Sequence, residues 1–380
     1  MDFSLTKEQT DLKNKAIEFS KKKLNRDVIE QDRLSEFPRQ KWLDCAEFGV
    51  QGLIIPEEYG GLGLDILTAV LVMEGLGYGC KDNGLLLSIN VNIWNCEIPI
   101  LHFGTEAQKK KYLPGLCNGS LIGAYGMTEP ESGSDAFSLR TTAQRDSGCY
   151  VLNGTKTLIT NAPFADLVVT FAKVPQETGK GKISCFIVEK GTPGFSVSKK
   201  IDKMGLRTSP FGEVVFQDCI IPKENILGSE GLGPSIFNHT MAEERAFILA
   251  TQIGAMERQL EECLTYAKTR KQFKKRIFEF QSVSNVLVEM KVRLESARLL
   301  VYNVAWLHQQ NKRAFLESSI AKLYVSECWI KNSLSAVRIH GGYGYTTEFE
   351  FERMLRDSIG GILYSGTSEI QRNIIAELLD

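Results

Sequence analysis

The chain has 380 residues, with 43% apolar and 24% charged content and a formal net charge of −1. That length can bury a large core, as one multi-layer unit or as two to three domains. The neutral charge balance predicts no nucleic-acid partner. The start, "MDFSLTKEQTDLKNKAIEFS", is charged from its first turn and has no apolar stretch, so it reads neither as a signal peptide nor as a transit peptide. No apolar run is read as long enough to span a membrane. Nine cysteines lie singly between Cys45 and Cys328 without a CxxC pair, which suits reduced thiols and a cytoplasmic location.

From about residue 1 to 120 the periodicity is helical. In the first segment Leu5, Leu12, Ala16, Ile17 and Phe19 fall mostly on one stripe, with Ser4 or Thr6 able to cap it. From about 121 to 230 short β-prone runs take over, among them "CYVLNGTKTLIT", "DLVVTFAKV", "ISCFIVEK" and "GEVVFQDCIIP". Asn153-Gly154 inside the first of these predicts a type I′ hairpin, because both central residues of that turn need positive φ. After Gly231-Leu232-Gly233-Pro234, from 231 to 380, the chain is helical again. Val283, Val286, Leu287, Met290, Leu294, Ala297, Val301 and Val304 recur at three- and four-residue steps, the mark of a long bundle helix. The fold class is therefore α+β: a helical domain, a β domain and a helical bundle.

Several stretches could carry chemistry. "YGMTEPESGSD", residues 125–135, offers hydroxyls and a flexible backbone to an anionic or planar ligand, though the same composition suits a polar loop. "KTRKQFKKR", residues 268–276, is a solvated helix end, a phosphate corner or a docking surface for an acidic partner. Glycines 341, 342 and 344 lack the strand before and helix after that a dinucleotide fingerprint needs. The four histidines, His102, His239, His308 and His340, are isolated in sequence without metal-ligand spacing and read as structural, so no metal is expected. Ser365 in "YSGTS" does not sit in a G-x-S-x-G elbow, so a nucleophilic triad has no support.

Taken in order, "YGMTEPESGSD", "ITN", "KTRKQF" and "IHGGYGYTTE…RDSIGGILYSGTSEIQR" resemble the acyl-CoA dehydrogenase family, and "IIPEEYGGLGLD" and "FGTEAQKKKYLPGL" extend the resemblance end to end. It implies an N-terminal helical domain, a central β domain and a C-terminal four-helix bundle, assembled as a homotetramer or homodimer, with FAD as cofactor. By the family pattern Tyr125, Met127, Thr128, Gly133 and Ser134 line the flavin and its phosphates. Leu158, Ile159 and Thr160 lie along the ring. Arg270, Gln272, Phe273 and Gln281 serve the pyrophosphate and adenosine part. Arg338, Gly341 and Gly342 belong to the facing subunit's contact, and Thr367 and Glu369 close the site. Ser134, Tyr364 and Ser365 also border the substrate. Members oxidise acyl thioesters: one carboxylate removes the α proton while a hydride passes to the flavin.

The departures from the pattern carry information. Many members hold their base in a Tyr-Glu-Gly-Thr loop, where this chain reads Tyr364-Ser365-Gly366-Thr367. An isovaleryl-type subgroup takes the base from the first helix after the β domain, just before an arginine. Glu244-Arg245 matches, which implies Glu244 as base and Arg245 as an orienting or substrate-binding group. The competing reading makes Glu243 and Glu244 ordinary acidic residues near a helix start, favoured by its dipole. Leu158 replaces a frequent tryptophan near the docking place of electron-transfer flavoprotein, and Ala242 replaces an aspartate near the pantetheine. The leading expectation is oxidation of a short or branched acyl thioester, specifically a prolyl group on an acyl carrier protein, with oxygen as a possible acceptor. The alternative is a short branched-chain coenzyme A thioester dehydrogenase passing electrons to electron-transfer flavoprotein. A non-catalytic assembly protein of the same fold is the reading from another class.

Overall fold

The computed structural model describes residues 4–177 and 181–380. Seven α-helices come first: α1 (Lys7–Lys23), α2 (Val28–Leu34), α3 (Arg39–Glu47), α4 (Ile66–Gly79), α5 (Asn83–Asn90), α6 (Ile98–Phe103) and α7 (Glu106–Cys117). Thr6 starts α1 with a capping box: its hydroxyl accepts the Gln9 N–H at 3.1 Å while the Gln9 side chain accepts the Thr6 N–H at 3.0 Å. A π-helical turn, Val91–Glu97, joins α5 to α6, so residues 83–103 run as one 21-residue helical stretch. That stretch qualifies the sequence reading, since it has the length and apolarity to cross a membrane. Its most apolar window is 94% buried inside the protein, so here it is a core helix.

The β region follows: β1 (Gly123–Gly126), β2 (Thr142–Asp146), β3 (Cys149–Thr160), β4 (Leu167–Val174), β5 (Lys182–Glu189), β6 (Phe195–Lys200), β7 (Phe211–Pro222) and β8 (Ile226–Leu227). They form one sheet ordered β6-β7-β3-β2-β4-β5-β8, with β1 parallel to β4. Alternate residues of β4 feed two cores, as a period of two requires. Leu167, Val169 and Phe171 pack with Tyr112, Leu113 and Leu116 of α7, whereas Val168, Ala172 and Val174 join Phe186, Val214 and Phe216 within the sheet.

Asn153-Gly154 is not a hairpin turn. β3 runs straight through it, with a register shift against β7 between Leu152 and Gly154. Asn153 Oδ1 accepts the Asp218 N–H at 2.8 Å, and a Cβ on Gly154 would meet Thr141 Oγ1 at 2.4 Å. The positive φ of Gly154 thus serves a bulge under close backbone approach. The actual β2–β3 turn uses Ser147 and Gly148, both with positive φ.

The C-terminal helices are α8 (Gly233–Phe247), α9 (Ala250–Thr269), α10 (Gln281–Gln309), α11 (Phe315–His340), α12 (Phe351–Gly361) and α13 (Ser368–Leu379). Between α9 and α10 sits a small hairpin of β9 (Lys271–Gln272) and β10 (Lys275–Arg276). α10 buries Leu287, Met290, Leu294, Ala297, Val301 and Val304, the stripe its periodicity predicts. N- and C-terminal helices share one core, in which Trp94, Phe247, Met290 and Trp329 are all buried. All nine cysteines are free thiols.

A buried ion pair anchors the loop after β1. Lys156 Nζ lies 2.7 Å from Glu129 Oε1, with both side chains almost fully buried. Glu129 also accepts the Thr141 N–H and hydroxyl. Burial alone would raise the Glu129 carboxyl, but these bonds hold it below its ordinary value; burial brings Lys156 down to about 8. Both groups are therefore charged at neutral pH, and removing one strands the other. Glu129→Gln is expected to cost about 3 to 5 kcal/mol in urea unfolding, with much of the loss restored by adding Lys156→Met. A loss under about 1 kcal/mol, the range of exposed pairs, would show that the pair anchors nothing.

Candidate functional site

One cleft of about 560 Å³ opens where the β region meets α8 and α13. Tyr125, Met127, Thr128, Gly133 and Ser134 form one wall. β3 supplies Leu158 and Ile159 through a second register shift, between Lys156 and Ile159. Leu158 takes a left-handed φ of 58° there, and the bulge turns its half-exposed side chain outward into the cleft. Asn161, also left-handed, fixes the end of β3: its Nδ2 donates to Ser88 O and Gly123 O, each at 3.0 Å. That is the physical role of the asparagine in "ITN".

The opposite wall is α8 with the loop before α13. Phe237, Met241, Glu244 and Arg245 all line the cleft at one-turn and two-turn spacings. Glu244 lies not near the start of α8 but in its last turn, where the helix dipole disfavours an anion. The dipole reading of the acidic pair is therefore overturned. Only 3% of Glu244 is exposed, and its burial raises the carboxyl above the ordinary range. Ser365 Oγ donates to Glu244 Oε1 at 2.5 Å, which works against that rise, while Oε2 is buried with no hydrogen-bond partner among the described residues.

The loop that presents Ser365 is tightly held. Ser365 and Gly366 both have positive φ, and Gln371 Nε2 donates to both of their carbonyls, at 3.0 and 3.2 Å. Arg245 Nε makes a longer bond, 3.4 Å, to Ser365 O. Tyr364 points away from the cleft to α9, where its hydroxyl accepts Gln252 Nε2 at 2.6 Å. Behind Glu244 lies Lys322 of α11, fully buried and without a hydrogen-bond partner among the described residues. Burial lowers it to about 8, and the Glu244 carboxylate opposes that shift. Ser318, one turn earlier, donates to Ala242 O at 2.7 Å and docks α11 on α8.

Not every expected residue reaches this cleft. Thr160 follows the lining residues on β3 without joining them, Thr367 caps α13, and Glu369 is exposed in its first turn. Arg270, Gln272 and Phe273 sit on and beside the exposed β9–β10 hairpin, Phe273 at 88% exposure, and Gln281 begins α10. Arg338, Gly341 and Gly342 are exposed at the end of α11. Conversely, Asn95 on the π turn and Phe237, Met241, Ile370 and Asn373 line the cleft unforeseen. For α8 the signal was available: residues 237, 241, 244 and 245 share a face once Glu244 is put on a helix.

A flavin suits these groups. A Cβ on Gly133 would meet nothing within 4 Å, so the backbone there is open to close approach. The Thr128 and Ser134 hydroxyls bond to no other described residue, and Leu158 with Ile159 offers an apolar edge. Hydroxyls, bare backbone and an apolar ledge fit a planar heteroaromatic ring with polar edges.

Comparison with known proteins agrees. Family models for the acyl-CoA dehydrogenase N-terminal, middle and C-terminal domains match residues 6–120, 124–219 and 231–379. An L-prolyl-[peptidyl-carrier protein] dehydrogenase of Pseudomonas fluorescens is 44% identical over 90% of each chain. The crystal structure of the prolyl acyl carrier protein oxidase AnaB is 49% identical with a TM-score of 0.97, covering 99% of this chain and 100% of its own. PigA, solved with FAD and proline, is 38% identical with a TM-score of 0.96, covering 100% of this chain and 99% of its own. Matched along nearly its whole length by these family models and by relatives of 38% to 49% identity, the chain belongs to the acyl-CoA dehydrogenase family of FAD-dependent oxidoreductases.

Proposed function

We propose that this enzyme oxidises a prolyl group held as a thioester on an acyl carrier protein, with Glu244 as the base. One observation carries the reading: at the end of the cleft a buried carboxylate faces a serine hydroxyl, where many relatives of the family place a bulkier loop glutamate. The small Ser365 leaves room for a compact ring branched at Cα. Two prolyl-carrier enzymes among the similar proteins support the same substrate.

In this reading Ser365 holds Oε1 and leaves Oε2 free to take the α proton. Burial raises the carboxyl toward operating pH, which strengthens it as a base. Arg245, half-buried beside the Ser365 carbonyl, orients the loop and the substrate. FAD, when bound, supplies the acceptor for the hydride leaving the neighbouring atom. Leu158 and Ile159 shield the same face from water, and Thr128, Gly133 and Ser134, with Tyr125 and Met127, are the residues that would hold the ring. Thr160, Thr367 and Glu369 stand outside the cleft lining, and only the family pattern would bring them to the cofactor.

The exposed Arg270, Gln272, Phe273, Gln281, Arg338, Gly341 and Gly342 are assigned to the adenosine part of FAD across a subunit contact. Exposed Val288, Val292 and Leu299 on α10 support such a contact, in a homotetramer or homodimer. Domain divisions near residues 120 and 230 follow the ends of α7 and β8. The acceptor is oxygen or an electron-transfer flavoprotein, and the free thiols support a cytoplasmic setting.

Anaerobic addition of prolyl-carrier protein is expected to bleach the flavin, while isovaleryl-CoA and butyryl-CoA leave it oxidised. Bleaching by the coenzyme A thioesters alone would move the substrate to the alternative. A second expectation concerns pH. A base must be ionised, so kcat/KM rises with pH through the Glu244 titration. Ser365→Ala removes a bond that favours the carboxylate and should move the acid limb upward. A limb that stays put or moves down would contradict that role for Ser365.

A further inference from the structure

Three of the four histidines converge on a single buried carboxylate outside the cleft. His239 and Glu243 lie one turn apart on α8 and share a face. His102 comes from the last turn of α6, and His308 from the last turn of α10. His308 Nε2 lies 3.2 Å from Glu243 Oε1, and His239 Nε2 lies 3.4 Å from the same oxygen. The ligand atoms of His102, His239 and Glu243 all fall within 4.8 Å of one another, and the rings of His102 and His239 pack edge to face at 4.6 Å.

We propose that this cluster is a binding site for a borderline divalent transition cation of the zinc class. Imidazole and carboxylate are the donors such ions take, at about 2.0 to 2.2 Å, so neighbouring donors in a tetrahedral shell stand about 3.3 to 3.5 Å apart. The 3.4 Å from His239 Nε2 to Glu243 Oε1 matches that spacing, and the 3.2 Å from His308 Nε2 falls just short of it. His102 closes the remainder by turning its ring, which is free to move because the residue is exposed. His239 Nε2 is buried and, despite its closeness to Glu243, makes no hydrogen bond among the described residues. A buried ring nitrogen near other donors and without a hydrogen-bond partner is what an imine donor to a metal requires. The carboxylate is buried at the base while His102 and His308 lie at the exposed rim, which gives the ion an entry path.

His102 comes from α6 and His239 and Glu243 from α8, while His308 of α10 bonds the same carboxylate, so an ion held there joins the first helical region to the C-terminal bundle. Glu243 and Glu244 are adjacent on α8 but project to different sides, one to the histidines and one to the cleft. The site is therefore a clamp on the catalytic helix, separate from the acyl pocket.

The test uses untagged, FAD-loaded enzyme freed of metal with a chelator and titrated with Zn²⁺ by calorimetry. One ion per chain is expected, with a saturable rise in melting temperature, as binding to the native state alone requires. The double variant His102→Ala/His239→Ala, which keeps the buried carboxylate and its His308 partner, should weaken affinity about tenfold or more and abolish the melting shift. Circular dichroism and FAD content matching the wild type would show that the variant is folded. Absence of saturable binding below about 100 µM, where the binding free energy is only about −5.5 kcal/mol, overturns the proposal. So does a change under tenfold in the folded variant.

Discussion

Everything at the acyl end of the cleft depends on one hydrogen bond, from the Ser365 hydroxyl to the buried carboxylate of Glu244. A carboxylate that is 97% removed from water carries a large desolvation cost unless bonded or neutralised, which is why its proton affinity rises. The serine satisfies one oxygen, and Lys322 places a buried positive charge behind the other side of α8. The structure meets the cost on the protein side only in part, leaving Oε2 without a hydrogen-bond partner among the described residues. In the proposed reaction this unsatisfied oxygen is the one that would receive the α proton.

Geometry elsewhere serves that arrangement. Ser365 reaches Glu244 because residues 365 and 366 adopt left-handed backbone and Gln371 ties both carbonyls down. On the facing wall, the Lys156–Glu129 pair fixes the loop 125–135, and the bulge in β3 puts Leu158 in a strained conformation at the cleft. Strain and buried charge gather on the two walls, while the shared helical core behind them is conventionally apolar. The cleft is shaped by rigid elements from three stretches of chain far apart in sequence.

Much of this was legible in the amino-acid sequence, for local reasons. The Thr6 cap and the apolar stripe of α10 depend on neighbours three and four residues away, so pattern alone finds them. Asn153-Gly154 misleads because positive φ serves a bulge as well as a turn, and only the β7 pairing and the approach of Thr141 decide between them. The three clustered histidines look isolated because α6, α8 and α10 bring them together over more than 200 residues of chain. Glu244 is singled out as the candidate base by the family pattern alone. That it lies at a helix end, bonded to Ser365 in the loop where many members carry a glutamate, is tertiary information.

The most direct measurement is rapid anaerobic mixing of prolyl-carrier protein with FAD-loaded Glu244→Gln enzyme, following flavin reduction in a single turnover. The amide keeps an acceptor for Ser365 but cannot take a proton. With FAD content and melting temperature at wild-type values, reduction should slow by about 10²- to 10⁴-fold, the range a positioned general base supplies. Reduction at the wild-type rate in the flavin-loaded variant would contradict Glu244 as the base.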